Sequence, residues 1–281
     1  MPIALFQQRA LARIDGADAA HFLDNLLTAR TPAPGAARYA ALLTPQGKII
    51  ADMFVLGVDG GFRLDLPADR LADLLKRLTL YRLRAKVEIA ALEGWRVGVA
   101  WGDDVPPAGA AAFADPRLPA LGTRFLLAPD AAVAPDADEA DWQAHRVALG
   151  VPEGGRDFAY ADAFPHEADM DQLNGIDFDK GCYVGQEIVS RMQHRGTART
   201  RIVPFAICGQ PPAPGTPIIA GGKTLGTVGS GVEGRLLALI RLDRLAEARD
   251  SGLAIEADGA TLVPERLEWA SFAIPGAGSA A

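Results

Sequence analysis

The sequence predicts an α+β fold that ends in a small β-barrel. Before residue 102, short strands alternate with two helices, and after residue 196 a series of short strands is separated by Gly and Pro turns. A chain of 281 residues, 49% of them hydrophobic, is longer than one small domain needs. We therefore expect two or three subdomains.

The N-terminal elements follow from local apolar patterns. Residues 3–6 and 10–14 read as strands, and a helix is predicted from Asp18, a residue type favoured at N-caps. The segments YAALLT, IIADMFVLGV and FRLDLP, separated by PQGK and DGG turns, predict a three-stranded meander. A helix over 68–84 and the strands KVEIAAL and WRVGVAWG complete this block.

The middle of the chain changes character twice. Residues 102–117 are rich in Ala, Pro and Gly and are interpreted as a connecting loop, followed by the strand RFLLA. A helix is predicted from Asp136 to a stop at Gly150. Residues 151–180 are polar and turn-rich, and long segments of this kind inside compact chains are more often functional than accidental.

The C-terminal third predicts the barrel. Its expected strands are RIVPFAICG, TPIIAGG, KTLGTVGSGV, RLLALIRLD, LAIEA and RLEWASFA. We therefore divide the chain into an α+β region of two subdomains over 1–199, a barrel over 200–274 and a flexible tail over 275–281.

Composition excludes several classes of function. The formal net charge of -7 argues against general affinity for nucleic acid or for an anionic membrane. The sequence has no apolar run long enough for a membrane span, and two cysteines do not make a disulfide scaffold. We expect a cytoplasmic protein, and its Arg- and Ala-rich composition is typical of a bacterial chain from a GC-rich genome.

The stretch DFDKGCYVGQEIVSR, residues 177–191, is the most informative motif. It places Cys182 between Gly181 and Gly185, which predicts a sharp turn with a reachable thiol because glycine adopts backbone conformations closed to other residues. The alternative is a glycine-rich turn whose cysteine only packs.

The neighbours of Cys182 also favour reactivity. Lys180 and the N-terminus of a short helix predicted over IVSRMQHR would both stabilise a thiolate. Cys208 lies in the apolar segment VPFAIC and is expected to pack as a small hydrophobic residue.

A local basic patch follows the motif. Arg191 and Arg195 are one helical turn apart and could together bind a carboxylate or phosphate. No acidic residue lies between Glu187 and Glu233, whereas that interval also contains Arg199, Arg201 and Lys223. A solvated rim of the barrel is the alternative interpretation.

Metal-binding patterns are missing from the sequence. Iron-sulfur clusters are usually held by several Cys ligands and structural zinc by four Cys or His ligands, whereas this chain has two cysteines and four histidines. We therefore expect no metal bound by the chain alone, and any cluster would be handled together with a partner.

The stretch KGCYVGQEIVSR closely resembles the signature of the YgfZ-type folate-binding proteins. These are relatives of the glycine-cleavage aminomethyltransferase, GcvT, and have mitochondrial relatives that assist iron-sulfur cluster assembly. The resemblance extends to RIDGADAAHFLDNLLTAR, YAALLTPQGKIIADM, QLNGIDFDKG and HRGTARTR, and so spans nearly the whole chain. It implies a three-subdomain ring of the GcvT/YgfZ type around a pocket for tetrahydrofolate, with the cysteine loop at the edge.

The implied ligand specifies the kinds of residue that would hold it. A pterin offers N–H donors to a carboxylate and a face to an aromatic ring, and its glutamate tail needs cations. The residues of these kinds are Asp52 and Glu187 for the pterin edge with Gln186 beside them, Tyr183 for stacking, and Arg191 with Arg195 for the tail.

Two functions from different classes remain open. The favoured one is an accessory factor that uses folate and Cys182 to support assembly or repair of iron-sulfur proteins, with client or carrier proteins as partners. The alternative is a folate-dependent aminomethyl or one-carbon transferase. A third possibility is a folate carrier in which the thiol has no role. The aminomethyltransferase carries two consecutive acids where this sequence has Ala51 and Asp52, which favours a role other than a conventional enzyme.

Overall fold

A computed structural model describes residues 2–102, 105–196 and 198–278. The chain divides into two compact units. The N-terminal unit comprises Met1–Trp142 and Leu173–Glu187, and the C-terminal unit comprises Gln143–Gln172 and Ile188–Ala281. Cys182 and residues 177–187 of its motif therefore belong to the N-terminal unit, whereas residues 188–191 belong to the C-terminal unit.

Among the described residues, the N-terminal unit contains two antiparallel sheets, two complete α-helices and a short 3-10 helix at Pro119–Leu121. Its elements are β1 (Ile3–Phe6), β2 (Arg9–Asp15), α1 (Ala19–Asp24), β3 (Ala37–Leu43), β4 (Ile49–Val58), β5 (Gly61–Pro67), α2 (Ala68–Arg82), β6 (Glu88–Ala91), β7 (Arg96–Ala100), β8 (Ala111–Ala114) and β9 (Thr123–Leu127). One sheet has the order β3-β4-β5-β2-β6 and the other the order β1-β7-β9-β8. The predicted meander is therefore confirmed as β3, β4 and β5.

The larger sheet of this unit is covered on one face by the two helices. Leu74 and Leu78, one turn apart on α2, are fully buried, as is Leu23 on α1. They join one apolar core with alternate residues of the strands, including Ala51 on β4. Asp52, the next residue on β4, belongs to the other face of the sheet.

Three predictions for the N-terminal unit need correction. Asp18 occupies the N-cap position of α1 as predicted, but it makes no side-chain capping hydrogen bond, because its carboxylate instead accepts from the Lys86 backbone N–H at 2.7 Å. The second helix ends at Arg82 rather than at 84. The segment 102–117, interpreted as a loop, contains β8, which pairs with β9; Asp103 and Asp104 lie outside the described residues.

The C-terminal unit contains most of the remaining elements. After α3 (Glu139–Ala148) and α4 (Gln186–Arg195), each of which begins in the N-terminal unit, come β10 (Thr200–Ala206), β11 (Pro217–Ala220), β12 (Lys223–Val232), β13 (Arg235–Arg241), α5 (Leu242–Asp250), β14 (Glu256–Ala257), β15 (Ala260–Thr261) and β16 (Val263–Pro264). Strands β10 to β16 form one antiparallel sheet in the order β15-β14-β11-β12-β13-β10-β16. Its inward side chains build a separate apolar core that includes Phe205, Leu236 and Ile240.

Sequence patterns misassigned three parts of this region. The helix α5 was not predicted, because RLLALIRLD was interpreted as a strand to its end. LAIEA contributes only β14, and RLEWASFA forms no strand in the structure. The predicted tail over 275–281 extends past the described residues, which end at 278.

In the described parts of the chain, every helix is too short or too polar to cross a lipid bilayer.

Candidate functional site

The loop around Cys182 presents its thiol at the surface. Gly181 and Cys182 are exposed, whereas Lys180 before them and Tyr183 after them are buried. Val184 is partly buried against the apolar core of the N-terminal unit. The loop is therefore anchored on both sides of an exposed pair of residues, as the predicted reachable thiol requires.

Lys180 is the upstream anchor of the Cys182 loop. Its ammonium Nζ donates to the backbone carbonyl oxygens of Asp24, Leu27 and Ala29, at 2.8, 2.6 and 3.3 Å. Burial lowers the pKa of Lys180 to about 8, so the side chain is still charged at neutral pH. The sequence predicted that the positive charge of Lys180 would stabilise the Cys182 thiolate. In the structure the hydrogen bonds of Lys180 go to the backbone at the end of α1 and just beyond it.

Further contacts attach the lead-in of the loop to the same segment. The Thr28 hydroxyl, fully buried, donates to the Gly175 carbonyl at 2.6 Å and accepts from the Ala41 N–H at 2.8 Å. The Asp177 N–H donates to the Thr28 carbonyl at 3.0 Å. Thr28 thus joins the loop to β3 and is a positioning residue that sequence analysis did not select.

The two glycines of the motif have different roles. Gly185 has φ +84°, and a Cβ there would lie 2.6 Å from the Thr44 carbonyl oxygen. Gly181 lies outside the left-handed region, and a Cβ there would meet no atom within 4 Å. The predicted need for glycine therefore applies to Gly185 and is wrong for Gly181.

The predicted stacking residue Tyr183 is only 8% exposed. Its ring centroid lies 5.0 Å from Lys180 Nζ, and burial raises the pKa of its hydroxyl to about 12. A ring enclosed in this way offers little of its face to a ligand. Its position indicates a structural role beside the buried ammonium, and this disagrees with the stacking role expected from the resemblance.

The helix after the loop begins earlier than the sequence predicted, at Gln186 instead of Ile188. Glu187, Arg191 and Arg195 follow one another at four-residue spacing on α4, and all three are exposed. The two arginines are accessible to an anion, as their proposed role requires. Glu187 belongs to the N-terminal unit and the arginines to the C-terminal unit.

Asp52 is buried and accepts a hydrogen bond from the Tyr39 hydroxyl at 2.8 Å. Burial and the nearby Asp52 carboxylate raise the pKa of Tyr39 well above its usual value. The Arg117 guanidinium lies 5.5 Å from the centre of the Tyr39 ring. Tyr39 thus contacts a predicted site residue, and Arg117 packs on the Tyr39 ring; the sequence patterns singled out neither.

Asp52 adjoins a buried layer of arginines, aspartates and one phenylalanine. Asp65 accepts from Arg9 at 2.6 Å and from Arg124 at 2.7 Å. Burial would raise the pKa of Asp65, but these two guanidiniums overcome that effect and hold it below its usual value. Arg117 and Arg124 both lie over the Phe54 ring, at 4.9 and 4.1 Å. This layer fixes the face of β4 from which Asp52 projects.

The predicted basic patch loses one of its members. Arg201 is buried and pairs with Asp171 at 2.5 Å and with Asp169 at 3.3 Å, so it does not contribute charge to the surface. Lys223 is exposed and pairs with Glu247 at 3.6 Å. Arg191, Arg195 and Arg199 remain as exposed cations near the motif in sequence.

The expectation for Cys208 is wrong. Strand β10 ends at Ala206, so Cys208 lies past the strand in a bend and is exposed. Exposure alone therefore does not distinguish the two thiols. What distinguishes Cys182 is the set of buried anchors on either side of it.

The residues expected around folate fit that ligand in kind, except for the buried Tyr183 ring. Four cavities of about 320, 330, 410 and 600 Å³ lie within single units, and none of these four is lined by the expected folate contacts. Among the described residues, no group of three His, Cys, Asp or Glu side chains could hold a metal ion.

Comparison with solved structures identifies the fold. The chain superimposes on the glycine cleavage system aminomethyltransferase T from Bartonella henselae with a TM-score of 0.75 over 98% of this chain and 87% of that one, at 16% identity. Residues 199–272 match the family described as CAF17, C-terminal beta-barrel domain. The predicted fold class, α+β of the aminomethyltransferase type with a C-terminal β-barrel, is confirmed.

Comparison of sequences gives the family. The chain is 34% identical over 272 residues to the mitochondrial iron-sulfur cluster assembly factor IBA57 of Homo sapiens, covering 84% of this chain and 76% of that protein. The chain belongs to the IBA57 family. An IBA57 homolog of Neurospora crassa is 35% identical over 238 residues, covering 74% of this chain and 54% of that protein, so the chain spans about half the length of this fungal relative.

Membership of the IBA57 family confirms the predicted relation to mitochondrial iron-sulfur assembly factors. The narrower YgfZ-type assignment stays a prediction.

Proposed function

We propose that this protein supports the assembly or repair of iron-sulfur proteins and that Cys182 is its functional thiol. The observation that carries the proposal is the exposed thiol on a loop anchored by Lys180, Val184 and Gly185. The IBA57 relatives, whose names give iron-sulfur cluster assembly as their role, support it.

In this role Cys182 would supply one ligand to an iron-sulfur cluster, which the protein handles as a substrate and not as a resident cofactor. The thiol loses its proton on binding iron, and a single thiolate leaves the other iron sites to a partner. Client or carrier proteins that bring their own cysteines are therefore the proposed partners. Anchoring of the loop reduces the conformational entropy lost when the thiol meets such a partner.

Complementation of a deletion strain tests this function. Iron-sulfur enzyme activities should fall in the deletion strain and be restored by the wild-type chain and by Cys208→Ser, but not by Cys182→Ser. The Cys208 variant is the matched control because both thiols are exposed. Full activity with Cys182→Ser, at equal protein level, would remove the thiol from the proposal.

Tetrahydrofolate is the proposed small-molecule ligand, as the YgfZ-type resemblance implies. Glu187 would accept from the pterin edge, with Gln186 beside it, and Arg191 with Arg195 would bind the glutamate tail. Asp52, the other carboxylate expected at the pterin edge, is as enclosed as Tyr183 and would have to exchange its hydrogen bond from Tyr39 for one from the pterin. Charge-assisted hydrogen bonds of this kind are worth about 1.5 to 3 kcal/mol each. The exposed guanidiniums on α4 support the second part of this assignment.

Calorimetric titration with a polyglutamylated tetrahydrofolate tests the ligand. We expect the double variant Arg191→Ala/Arg195→Ala to bind at least about 100-fold more weakly, as loss of two charge-assisted contacts of about 1.5 kcal/mol each would give. Arg199→Ala is the control, since it removes another exposed arginine. Absence of binding at sub-millimolar folate, or equal affinity in all three proteins, would exclude folate from the proposal.

The transferase alternative is not the function we propose. Ala51 belongs to the apolar core, so β4 carries a single carboxylate, that of Asp52, where the aminomethyltransferase carries two consecutive acids. One positioned acid or base typically contributes about 100- to 10,000-fold in rate. Turnover of a lipoyl-bound aminomethyl substrate would favour the transferase.

We also propose a cytoplasmic location, which cell fractionation would test.

A further inference from the structure

The segment after the middle of α2 combines exposed apolar and basic side chains. Of the eight large apolar side chains that are exposed among the described residues, three lie within four positions: Leu80 at 66%, Tyr81 at 37% and Leu83 at 88%. Scattered exposed apolar residues are ordinary, whereas a concentration of this kind marks an interaction site.

The same segment borders a concave surface on the N-terminal unit. A cavity of about 410 Å³ lies between α1 and the end of α2. Phe22 and Leu26, each 6% exposed, are among its apolar lining, and Tyr81 and Leu83 come from the other side. We name this depression, together with the segment 80–86, the α1/α2 groove.

The charge around the α1/α2 groove is of one dominant sign. Between Asp73 and Glu88 the sequence has five basic residues and no acidic one: Lys76, Arg77, Arg82, Arg84 and Lys86. Arg77 pairs with Asp73, and Asp18 in the lining accepts from the Lys86 backbone N–H, not from its side chain. Of the five, Arg82 and Arg84 line the cavity itself, so in a chain with net charge -7 the α2 side of this apolar depression has a local basic rim.

The backbone at Leu83 gives an independent indication. Leu83 follows the last residue of α2 with φ 45° and ψ -104°, a conformation that a leucine rarely adopts. Strained conformations of this kind are found disproportionately at binding sites. Here the conformation of Leu83 places an apolar side chain in solvent beside an apolar depression.

We propose that the α1/α2 groove binds a helix of a partner protein, with apolar side chains on one face and acidic residues flanking them. Amphipathic helices commonly bind in apolar grooves through side chains spaced by three or four residues. The basic rim supplies the complementary charge for flanking carboxylates.

Two other occupants fit less well. A second copy of this chain, packed symmetrically, would bring two basic rims together, which like-charge repulsion disfavours. An anionic bilayer would attract the rim, but the net charge of -7 opposes approach, and the recessed Phe22 and Leu26 could not insert.

The groove is also close to the thiol loop within the same unit. Asn25 and Leu26 line the groove, while the carbonyls of the adjacent residues Asp24 and Leu27 accept from Lys180. A protein bound in the groove would therefore lie close to the Cys182 loop, separated from it by residues 24–27. Docking itself goes beyond the proposed function and does not require the thiol.

A pair of synthetic peptides tests the charge and the groove together. One fluorescein-labelled helical peptide of about 18 residues carries leucines at helical spacing and glutamates elsewhere, and its twin has lysine for every glutamate. We expect the acidic peptide to bind at least about tenfold more tightly at low salt, with a smaller ratio at high salt because salt screens the charges. Peptides that bind equally, or not at all, would overturn the proposal.

Surface variants locate the binding. Arg84→Glu should weaken the acidic peptide about tenfold, Leu83→Ser should weaken both peptides, and Arg38→Glu should change neither. Arg38 is the matched control because it is exposed on β3, the sheet edge opposite β6. Equal effects of Arg84→Glu and Arg38→Glu would place the binding elsewhere. The same affinities are expected in Cys182→Ser, so failure here is separable from failure of the thiol's role.

Cross-linking in the host cell tests the occupant. A photoreactive phenylalanine at position 83 should cross-link to an acidic, apolar-faced helix, whereas the same group at Val105, also exposed, should not. Cross-links to a second copy or to lipid, to a partner segment without acidic residues, or no excess over the Val105 control, would each overturn the proposal.

Discussion

Lys180 and Asp169 are two charged side chains buried in the same turn-rich stretch of sequence, but their surroundings differ. Lys180, in the N-terminal unit, donates to three carbonyl oxygens. Asp169, in the C-terminal unit, pairs with Arg201 through one oxygen, while its Oδ2 has no hydrogen-bond partner among the described residues. A buried charge stabilises a fold only when its hydrogen bonds are made. Lys180 therefore fixes its loop, whereas ionised Asp169 costs stability.

The largest effect is expected for Lys180→Met, which removes the ammonium and leaves three carbonyl groups without their donor. Each buried group left unsatisfied costs about 1 to 3 kcal/mol, so we expect a total loss of about 3 kcal/mol after partial relaxation. Urea unfolding at neutral pH measures it. Lys223→Met is the control, because the exposed pair with Glu247 should contribute at most about 0.5 kcal/mol.

Amide hydrogen exchange measures how the Lys180→Met substitution affects the loop itself. Amides 181–185 should exchange faster in Lys180→Met, whereas amides of the Cys208 bend should not change. Similar losses of stability in the two lysine variants would mean that Lys180 does not anchor the loop.

A smaller loss is expected for Thr28→Val, which keeps the volume of the side chain and removes its hydroxyl. The Ala41 N–H and the Gly175 carbonyl would lose their partner in a fully buried position, at a cost of about 2 kcal/mol. Thr79→Val is the matched control, since its hydroxyl bonds the Leu75 carbonyl on the exposed side of α2. Unchanged unfolding in Thr28→Val would show that the lead-in of the loop is held by other contacts.

The two glycines of the motif give the next effect in size. Gly185→Ala should lose more than about 1 kcal/mol, because the left-handed φ disfavours alanine and the Cβ would press on the Thr44 carbonyl. Gly181→Ala should stay within about 0.5 kcal/mol, as surface substitutions usually do. Chemical unfolding of both variants checks this pair, and a reversed order would contradict the assignment of the strained turn to Gly185.

The elements of the fold that sequence predicted well are those with clear periodicity. The meander of β3 to β5 has alternating or continuous apolar residues between turn signals, and α2 buries Leu74 and Leu78 at helical spacing. The strand β8 was missed because its AAFA sequence carries only one large apolar residue, Phe113, which is the one buried. Pairing with β9, a tertiary contact, supplies what local sequence does not.

The sequence allowed the motif around Cys182 to be predicted, but not the contacts that its residues make in the structure. The pattern around Cys182 indicated an exposed thiol on a turn, and the structure has one. The direction of the Lys180 side chain depends on carbonyl groups about 150 positions earlier in the chain, and no local rule gives it. Cys208 was misplaced for a related reason, because apolar neighbours in VPFAIC do not show that β10 ends at Ala206.

The smallest effect, and the one of opposite sign, is expected for Asp169→Asn. Burial raises the pKa of Asp169 well above its usual value, with Arg201 and a backbone hydrogen bond from Ile202 opposing the shift and the Asp171 carboxylate adding to it. The folded protein therefore holds this proton more tightly than the unfolded chain, so wild-type stability should fall as pH rises above the ordinary aspartate value.

Asparagine cannot ionise and tolerates the left-handed φ of 55° at this position. The variant should match wild type near pH 4 and become more stable by about 1 kcal/mol near neutral pH, where the unsatisfied carboxylate is a cost only to the wild type. Urea unfolding across this pH range measures the difference, with Asp171→Asn as the control, because loss of its two-point contact with Arg201 should destabilise instead. A stability difference between Asp169→Asn and wild type that does not grow with pH would show that Asp169 is as well satisfied as Lys180.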